Sequence, residues 1–125
     1  MRFTRGATYY YFSDQTKRKE MYAIEGLVNI EVAEKKFFET HSRFGSIQEL
    51  SISGELNGYG ESLRDGSMGY RLDLLASGSI LKADTTPKAY GWQNGYRSFS
   101  YMPGSGMRGA DHRGAFATTS DPPGN

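Results

Sequence analysis

The residues that decide the fold run from Asp14 to Ser42 and read DQTKRKEMYAIEGLVNIEVAEKKFFETHS. The stretch contains no proline and a single glycine, so nothing in it interrupts a helix. At 100° per residue, one broad sector of that helix collects the apolar residues Met21, Ile24, Leu27, Val28, Val32 and Phe38. The pattern predicts one long helix that turns this sector toward a core.

Both ends of this helix carry sequence signals. Ser13 or Asp14 can cap its N-terminus, because their side-chain oxygens accept hydrogen bonds from the first free backbone N–H groups. His41 followed by Gly45 is typical of a C-terminus. We therefore expect residues 1–13 to form a separate N-terminal arm.

Two further features concern the sides of the helix. Glu31 and Lys35 are spaced for an ion pair across one turn. Ile30 and Phe37 project from a second apolar flank. Two interpretations of that flank remain open: it widens the core face, or it binds a partner protein.

The chain after the helix has the pattern of a small sheet. Residues 46–50 predict a short helical turn with a serine cap, and the glycine-rich residues 54–69 predict an irregular loop. Short apolar or alternating stretches at residues 70–74, 80–85 and 97–101 predict strands. The expected fold is α+β, with the long helix on an antiparallel sheet of three to four strands.

Length and turn content define the expected organisation. A chain of 125 residues has room for one core. We predict a basic and aromatic arm at residues 1–13, a globular domain at residues 14–103, and an extended tail rich in glycine and proline at residues 104–125.

Composition excludes several classes of function. Lys and Arg number 15 against 14 Asp and Glu, so the net charge of +1 provides no field to attract a nucleic acid. The absence of cysteine excludes disulfides, thiolate metal sites and a cysteine nucleophile. No apolar run reaches the roughly 18 residues that a membrane-spanning helix needs, so we expect no span.

Two motifs invite an enzymatic interpretation. Residues 104–109 match G-x-G-x-x-G, but the 16 residues that follow leave no space for a crossover helix and a second parallel strand. Ser105, Asp111 and His112 contain the residue types of a hydrolase triad, but Ser105 lies outside a G-x-S-x-G turn. We predict a hairpin turn at the first motif and no enzymatic activity.

Metal ligands are few. The only histidines, His41 and His112, have no paired spacing that favours a metal. A weak calcium site at Asp111 and Asp121 remains open. We predict no cofactor and no dedicated metal site.

Four consecutive aromatic residues, Tyr9, Tyr10, Tyr11 and Phe12, are the most unusual local feature. One helix face or one sheet face cannot bury all four, and basic residues flank them on both sides. Together with Ile30 and Phe37, they are the residues that we expect to bind a partner protein.

A different class of function is also open. Tyr59, Tyr90, Trp92 and Tyr96 lie on the predicted loops, and aromatic faces suit sugar rings. The alternative prediction is a small extracytoplasmic protein that binds a carbohydrate or another ligand through these four residues.

Several segments, taken in order, resemble the globular part of type IV pilin-like proteins and pseudopilins. They are IEVAEKKFF at residues 30–38, RFGSIQEL at 43–50, GYRLDL at 69–74, KADTTP at 82–87, GYRSFSY at 95–101, GMRGAD at 106–111 and ATTSDPP at 117–123. The resemblance covers residues 18–123. It implies a pilin-like roll and a structural rather than enzymatic role. We expect the chain to dock onto a cell-envelope or membrane assembly.

The chain departs from that family at its N-terminus. Family members carry a prepilin-peptidase site followed by a long apolar helix, whereas this chain has Phe3, Thr4, Arg5 and Gly6 there. The helix is therefore truncated from the sequence, supplied by another polypeptide, or absent from an accessory subunit. The resemblance implies the extracytoplasmic face of the envelope, with the chain peripheral to the membrane. The lack of a secretory signal predicts the cytoplasm instead.

Overall fold

A computed structural model shows a long helix packed on a four-stranded antiparallel sheet. It describes residues 2–89, 97–111, 113, 115–118 and 121–123, with the side chains of the first helix described from Lys17 onward. The elements are α1 (Arg2–His41), α2 (Ile47–Ile52), α3 (Gly58–Asp65), β1 (Tyr70–Ser77), β2 (Ile80–Pro87), β3 (Arg97–Met102) and β4 (Gly106–Asp111). The predicted α+β class, with one long N-terminal helix on a small antiparallel sheet, is confirmed.

Helix α1 ends where the sequence predicts and begins earlier. It stops at His41, and Ser42 follows in the left-handed region with φ 58° and donates its N–H to the Phe38 carbonyl at 2.8 Å. The helix starts at Arg2, so the predicted arm at residues 1–13 is helical from its second residue. No proline precedes Ser13, so nothing in that segment prevents a helix. Ser13 and Asp14 therefore lie inside α1 and do not cap its N-terminus.

The buried face of α1 differs from the predicted sector. Its buried apolar residues are Ala23, Ile24, Leu27, Ile30, Ala33 and Phe37. Met21, Val28 and Val32, which we expected in the core, are 53%, 38% and 45% exposed. Glu20 and Glu34 lie on the buried face, and a count of apolar residues alone therefore misplaces its centre.

The segment after α1 contains two short helices rather than one helix and a loop. Ser46 and Glu49 form the capping box of α2, which confirms the predicted serine cap. The predicted irregular loop is wrong over α3, because the Asn57 side chain accepts hydrogen bonds from the N–H groups of Tyr59 and Gly60 and starts a helix.

Close contact between α1 and α3 explains the glycines in this region. A Cβ at Gly26 would lie 2.8 Å from the Leu63 side chain, and a Cβ at Gly60 would overlap the Asn29 amide. Asn29 donates to the Glu55 carbonyl at 3.3 Å and accepts from the Asn57 N–H at 2.9 Å. Both glycines therefore permit helix packing, although Gly60 in sequence resembles a loop residue.

The four strands follow one another as a meander, in the order β1-β2-β3-β4. Along β1 every second residue points to the core, as its alternating sequence predicts, and Tyr70 is fully buried.

The predicted tail provides β4. The G-x-G-x-x-G motif spans the β3–β4 turn and the start of β4, which confirms the hairpin interpretation. The last described residues pair with β4, where the Gly109 N–H donates to the Pro122 carbonyl at 3.0 Å.

Candidate functional site

The predicted partner residues fall into two groups. Tyr9, Tyr10, Tyr11 and Phe12 belong to the helical backbone of α1, and their side chains lie outside the described residues. Ile30 and Phe37 are 0% and 6% exposed. The second flank of α1 is therefore part of the core, and the assignment of these two residues to a partner surface is wrong.

The environment of Phe37 shows why its burial is needed. Its ring stacks on His41 with a centroid separation of 4.0 Å, and the Arg43 guanidinium lies 5.1 Å from the ring centre. A Cβ at Gly45 would lie 2.9 Å from the same ring. Phe37 thus packs against the chain segment that leaves α1, and this packing positions the loop to α2.

The face of α1 directed away from the sheet carries an apolar stripe that the sequence patterning did not separate from the core. Met21, Val28 and Val32 form it, and all three are exposed. Their spacing of seven and four residues places them on one side of the helix. We call these three residues the outer stripe. The sequence shows the helical periodicity of these apolar residues. Which side of α1 faces the core depends also on Glu20 and Glu34, which are buried.

The predicted ligand residues are tested only at Tyr59. It lies on α3, is 40% exposed, and its ring centre is 5.7 Å from that of Tyr22 on α1. Tyr90, Trp92 and Tyr96 lie outside the described residues. The structure therefore brings Tyr59 to α1 and leaves the four-residue aromatic site as a prediction.

Glu20 joins α1 to the sheet. Its two carboxylate oxygens accept hydrogen bonds from the Arg97 backbone N–H at 3.0 Å and from the Arg97 Nε at 3.1 Å. The Arg97 guanidinium also lies 5.0 Å from the centre of the Phe99 ring. This ion pair fixes the start of β3 against the helix.

Glu34 is a second carboxyl on the buried face of α1, and it has fewer hydrogen-bond partners than Glu20. Its Oε1 accepts from the Gly45 N–H at 2.7 Å, whereas Oε2 has no hydrogen-bond partner. Burial raises the pKa of Glu34 to about 7, the Gly45 hydrogen bond opposes that rise, and the nearby Glu49 carboxylate adds to it. A large share of Glu34 is therefore protonated at neutral pH.

Two buried tyrosines have structural roles. The Tyr70 hydroxyl donates to the Arg97 carbonyl at 2.6 Å, and burial raises its pKa well above the ordinary value. Burial, with a contribution from Glu31, raises the pKa of Tyr101 to about 12. Both phenols keep their protons at neutral pH and act as hydrogen-bond donors rather than as bases.

The aspartates considered for calcium stabilise turns. The Asp111 carboxylate accepts from the Arg113 N–H at 3.0 Å, and the Asp121 carboxylate accepts from the Thr118 N–H at 2.8 Å. In the described part of the chain, no three His, Asp or Glu side chains gather as metal ligands. His112 lies outside the described residues, so the catalytic pairing with Asp111 is untested.

A groove of about 550 Å³ opens on the face of the sheet opposite α1. Its walls come from β1, the end of β2 and the chain after β4, namely Arg71, Asp73, Thr86, Pro87, Lys88, Arg113, Ala115 and Phe116. We call it the basic groove, because three of these residues are cationic and one is acidic. No local sequence pattern could reveal it, since its residues come from three separated segments.

The outer stripe and the basic groove are two surfaces of the described residues that present side chains for recognition. Over the described residues, no helix is long and apolar enough to cross a membrane. Searches of protein families, curated proteins and solved structures found no match to this chain.

Proposed function

We propose that this chain is a non-enzymatic structural subunit of pilin-like fold that docks onto a protein assembly of the cell envelope or membrane. The resemblance of the sequence segments to pilin-like proteins supports this proposal, and it favours the extracytoplasmic face. The arrangement of one long helix on an antiparallel sheet is compatible with it.

The observation that carries the proposal is the outer stripe on α1. Exposed apolar side chains that lie together on one side of a helix are typical of protein-binding surfaces, because water is a poor environment for them. Met21, Val28 and Val32 lie on the face that the chain's own sheet leaves open. Docking through α1 would bury this stripe and extend toward the aromatic residues near the N-terminus.

The decisive experiment compares native complexes from source cells that carry altered chains. Val28→Glu together with Val32→Glu places charges in the outer stripe, and Ile52→Glu on α2 is the control, since Ile52 is 87% exposed outside the stripe. Mild extraction, size separation and mass spectrometry then identify the membrane subunits that accompany each chain in fixed ratio. We expect the stripe variant to lose these subunits and the control to retain them.

A deletion tests the same proposal at the end of the helix. Removal of residues 1–13 should abolish partner binding and preserve the fold, since the buried face of α1 among its described side chains begins at Glu20. Circular dichroism checks that the fold persists. A wild-type chain that migrates alone at 13.9 kDa, or a stripe variant that keeps its partners, would overturn the proposal.

A further inference from the structure

The geometry of the basic groove brings cations from three segments to one surface. Arg71 projects from the outer face of β1, Lys88 follows β2 directly, and Arg113 follows β4. All three are exposed. The floor includes Thr86 and Pro87, which are buried and hold the β2 end of the groove in place.

None of these three cations forms an ion pair with a carboxylate among the described residues. Six other cations of the described residues have a carboxylate oxygen within 2.6–3.5 Å, namely Lys35, Lys36, Arg43, Arg64, Lys82 and Arg97. Two of the three groove cations contact backbone carbonyls instead. Arg71 donates to the Lys88 carbonyl at 3.0 Å, and Lys88 donates to the Gly66 carbonyl at 3.3 Å.

These backbone contacts orient the cations and leave donors available. A guanidinium has five N–H groups and an ammonium has three, so one carbonyl contact each leaves most of them for a ligand. Among the described residues that line the groove, Asp73 is the one acid, and together these residues carry a net charge of +2. The hydrogen bonds from Ser67 are the main cause of the lowered pKa of Asp65, and the positive charge of Lys88 adds a smaller contribution.

Phe116 adds an apolar wall to this charged surface. It is 52% exposed and lines the groove beside Arg113 and Ala115. The Lys82 ammonium lies 6.0 Å from the centre of its ring, which places the ring over the outer face of the sheet. A ligand held by the cations would therefore lie beside an aromatic surface.

We propose that the basic groove binds an oxyanion, a carboxylate or phosphate group attached to an apolar body that contacts Phe116. Planar guanidinium groups match the paired oxygens of carboxylates and phosphates, and both Arg71 and Arg113 supply such a group. The groove lies on the sheet face opposite α1. This inference is thus independent of docking through the outer stripe.

Calorimetric titration of the full chain at low ionic strength tests the site, with benzoate and inorganic phosphate as separate probes. We expect saturable binding at one site and an affinity for benzoate higher than that for phosphate. Tighter binding of phosphate would assign the site to phosphate-bearing ligands instead. The absence of saturable binding for both probes would overturn the proposal.

Charge-matched variants separate the groove from general electrostatic attraction. Arg71→Gln with Lys88→Gln removes two positive charges from the groove, and Lys35→Gln with Lys36→Gln removes two from α1. We expect at least a tenfold loss of affinity in the groove variant and less than a twofold change in the α1 variant, because only the groove variant loses groups that contact the anion. A general attraction to the net charge of the protein would weaken by the same amount in both variants. Equal losses in both variants would contradict a defined site.

Two further measurements test the role of Phe116 and the position of the bound anion. The second uses the wild-type chain and does not depend on the stability of a variant. Phe116→Ala should remove the preference for benzoate while leaving phosphate binding unchanged. In the wild-type chain, NMR should show probe-dependent shifts of the Arg71 and Arg113 side-chain signals with the same saturation midpoint as calorimetry. Shifts confined to α1 would place the anion elsewhere and refute the assignment.

Discussion

Glu20 and Glu34 enter the core from the same face of α1, about four helical turns apart, and they have very different surroundings. Both oxygens of Glu20 accept hydrogen bonds from Arg97, which lies 77 residues away in sequence. Glu34 accepts one hydrogen bond, from Gly45, and leaves Oε2 without a partner. The Glu20 end of this face thus holds an ion pair, whereas the Glu34 end holds a carboxyl whose pKa is raised.

The difference shows what makes a buried carboxyl tolerable. Removing a carboxylate from water is costly unless donors replace the lost hydration. At Glu20 an arginine supplies both a backbone and a side-chain donor, whereas at Glu34 a single backbone N–H is insufficient and protonation lowers the cost instead. The stability of the two ends should therefore respond to different changes.

A large loss of stability is expected when the ion pair between Glu20 and Arg97 is broken. Arg97→Met keeps an apolar stem beside Phe99 but removes a side-chain donor to Glu20, and it takes the positive charge of Arg97 away from a buried carboxylate. We expect the free energy of unfolding to fall by about 3 kcal/mol, measured by urea denaturation.

Arg64→Met is the matched control. It removes an arginine that pairs with Glu61 at 2.6 Å on the surface, where such pairs contribute less than about 1 kcal/mol. Equal losses in the two variants would show that the Glu20 pair behaves as a surface pair, and the contrast with Glu34 would then disappear.

The pH dependence of stability tests the other end of the face. Because the pKa of Glu34 rises from 4.5 to about 7 on folding, the folded state holds this proton more tightly than the unfolded state. The contribution is fully present below pH 4.5 and is lost as the pH rises through about 7. Glu34→Gln cannot ionise and should be more stable than wild type by about 3 kcal/mol at pH 8.5, with little difference at pH 4.5.

Thermal or urea unfolding over this pH range measures the difference, and Glu39→Gln on the exposed side of the same helix is the control. The control should keep the wild-type pH dependence. A Glu34→Gln profile that runs parallel to wild type would mean that Glu34 is ionised in the folded protein without cost.

A substitution at Gly45, whose N–H donates to Glu34, should have a smaller effect on stability. It tests how much this hydrogen bond contributes to the difference between Glu34 and Glu20. In Gly45→Ala the new Cβ meets the Phe37 ring at 2.9 Å, so the ring or the Gly45 backbone must shift. A shift of the backbone weakens the hydrogen bond from the Gly45 N–H to Glu34. We expect a loss of about 1 kcal/mol and a shift of the pH midpoint to higher values, because the lost hydrogen bond had favoured the ionised form. An unchanged midpoint would show that burial alone determines the Glu34 pKa.

Local signals in the sequence were sufficient for much of the fold. The uninterrupted helix, the Ser46 cap and the alternation of β1 each depend on residues close in sequence, and all three are present. The start of α1 and the existence of α3 were missed, because Asp14 resembles a cap and Gly60 resembles a loop residue. Gly60 is instead required by the contact with Asn29, which is a tertiary effect.

The candidate surfaces were harder to predict for the same reason. The outer stripe was assigned to the core because the centre of the buried face depends on Glu20 and Glu34, which no apolar pattern includes. Arg71, Lys88 and Arg113 come together only after the sheet forms, so their spacing in the sequence carries no signal. The aromatic residues Tyr9 to Phe12 remain the part of the predicted partner surface that sequence alone supports.

The pairing of the last described residues with β4 affects how the chain behaves in a concentrated solution. A meander has two edge strands, and an uncovered edge can recruit a strand from another copy and begin aggregation. Here the β4 edge is occupied by the segment at Pro122 and Pro123, and prolines lack the N–H that a further strand would need. At the opposite edge, β1 carries the charged side chains of Arg71 and Asp73. Both edges therefore discourage the addition of a strand from another copy of the chain.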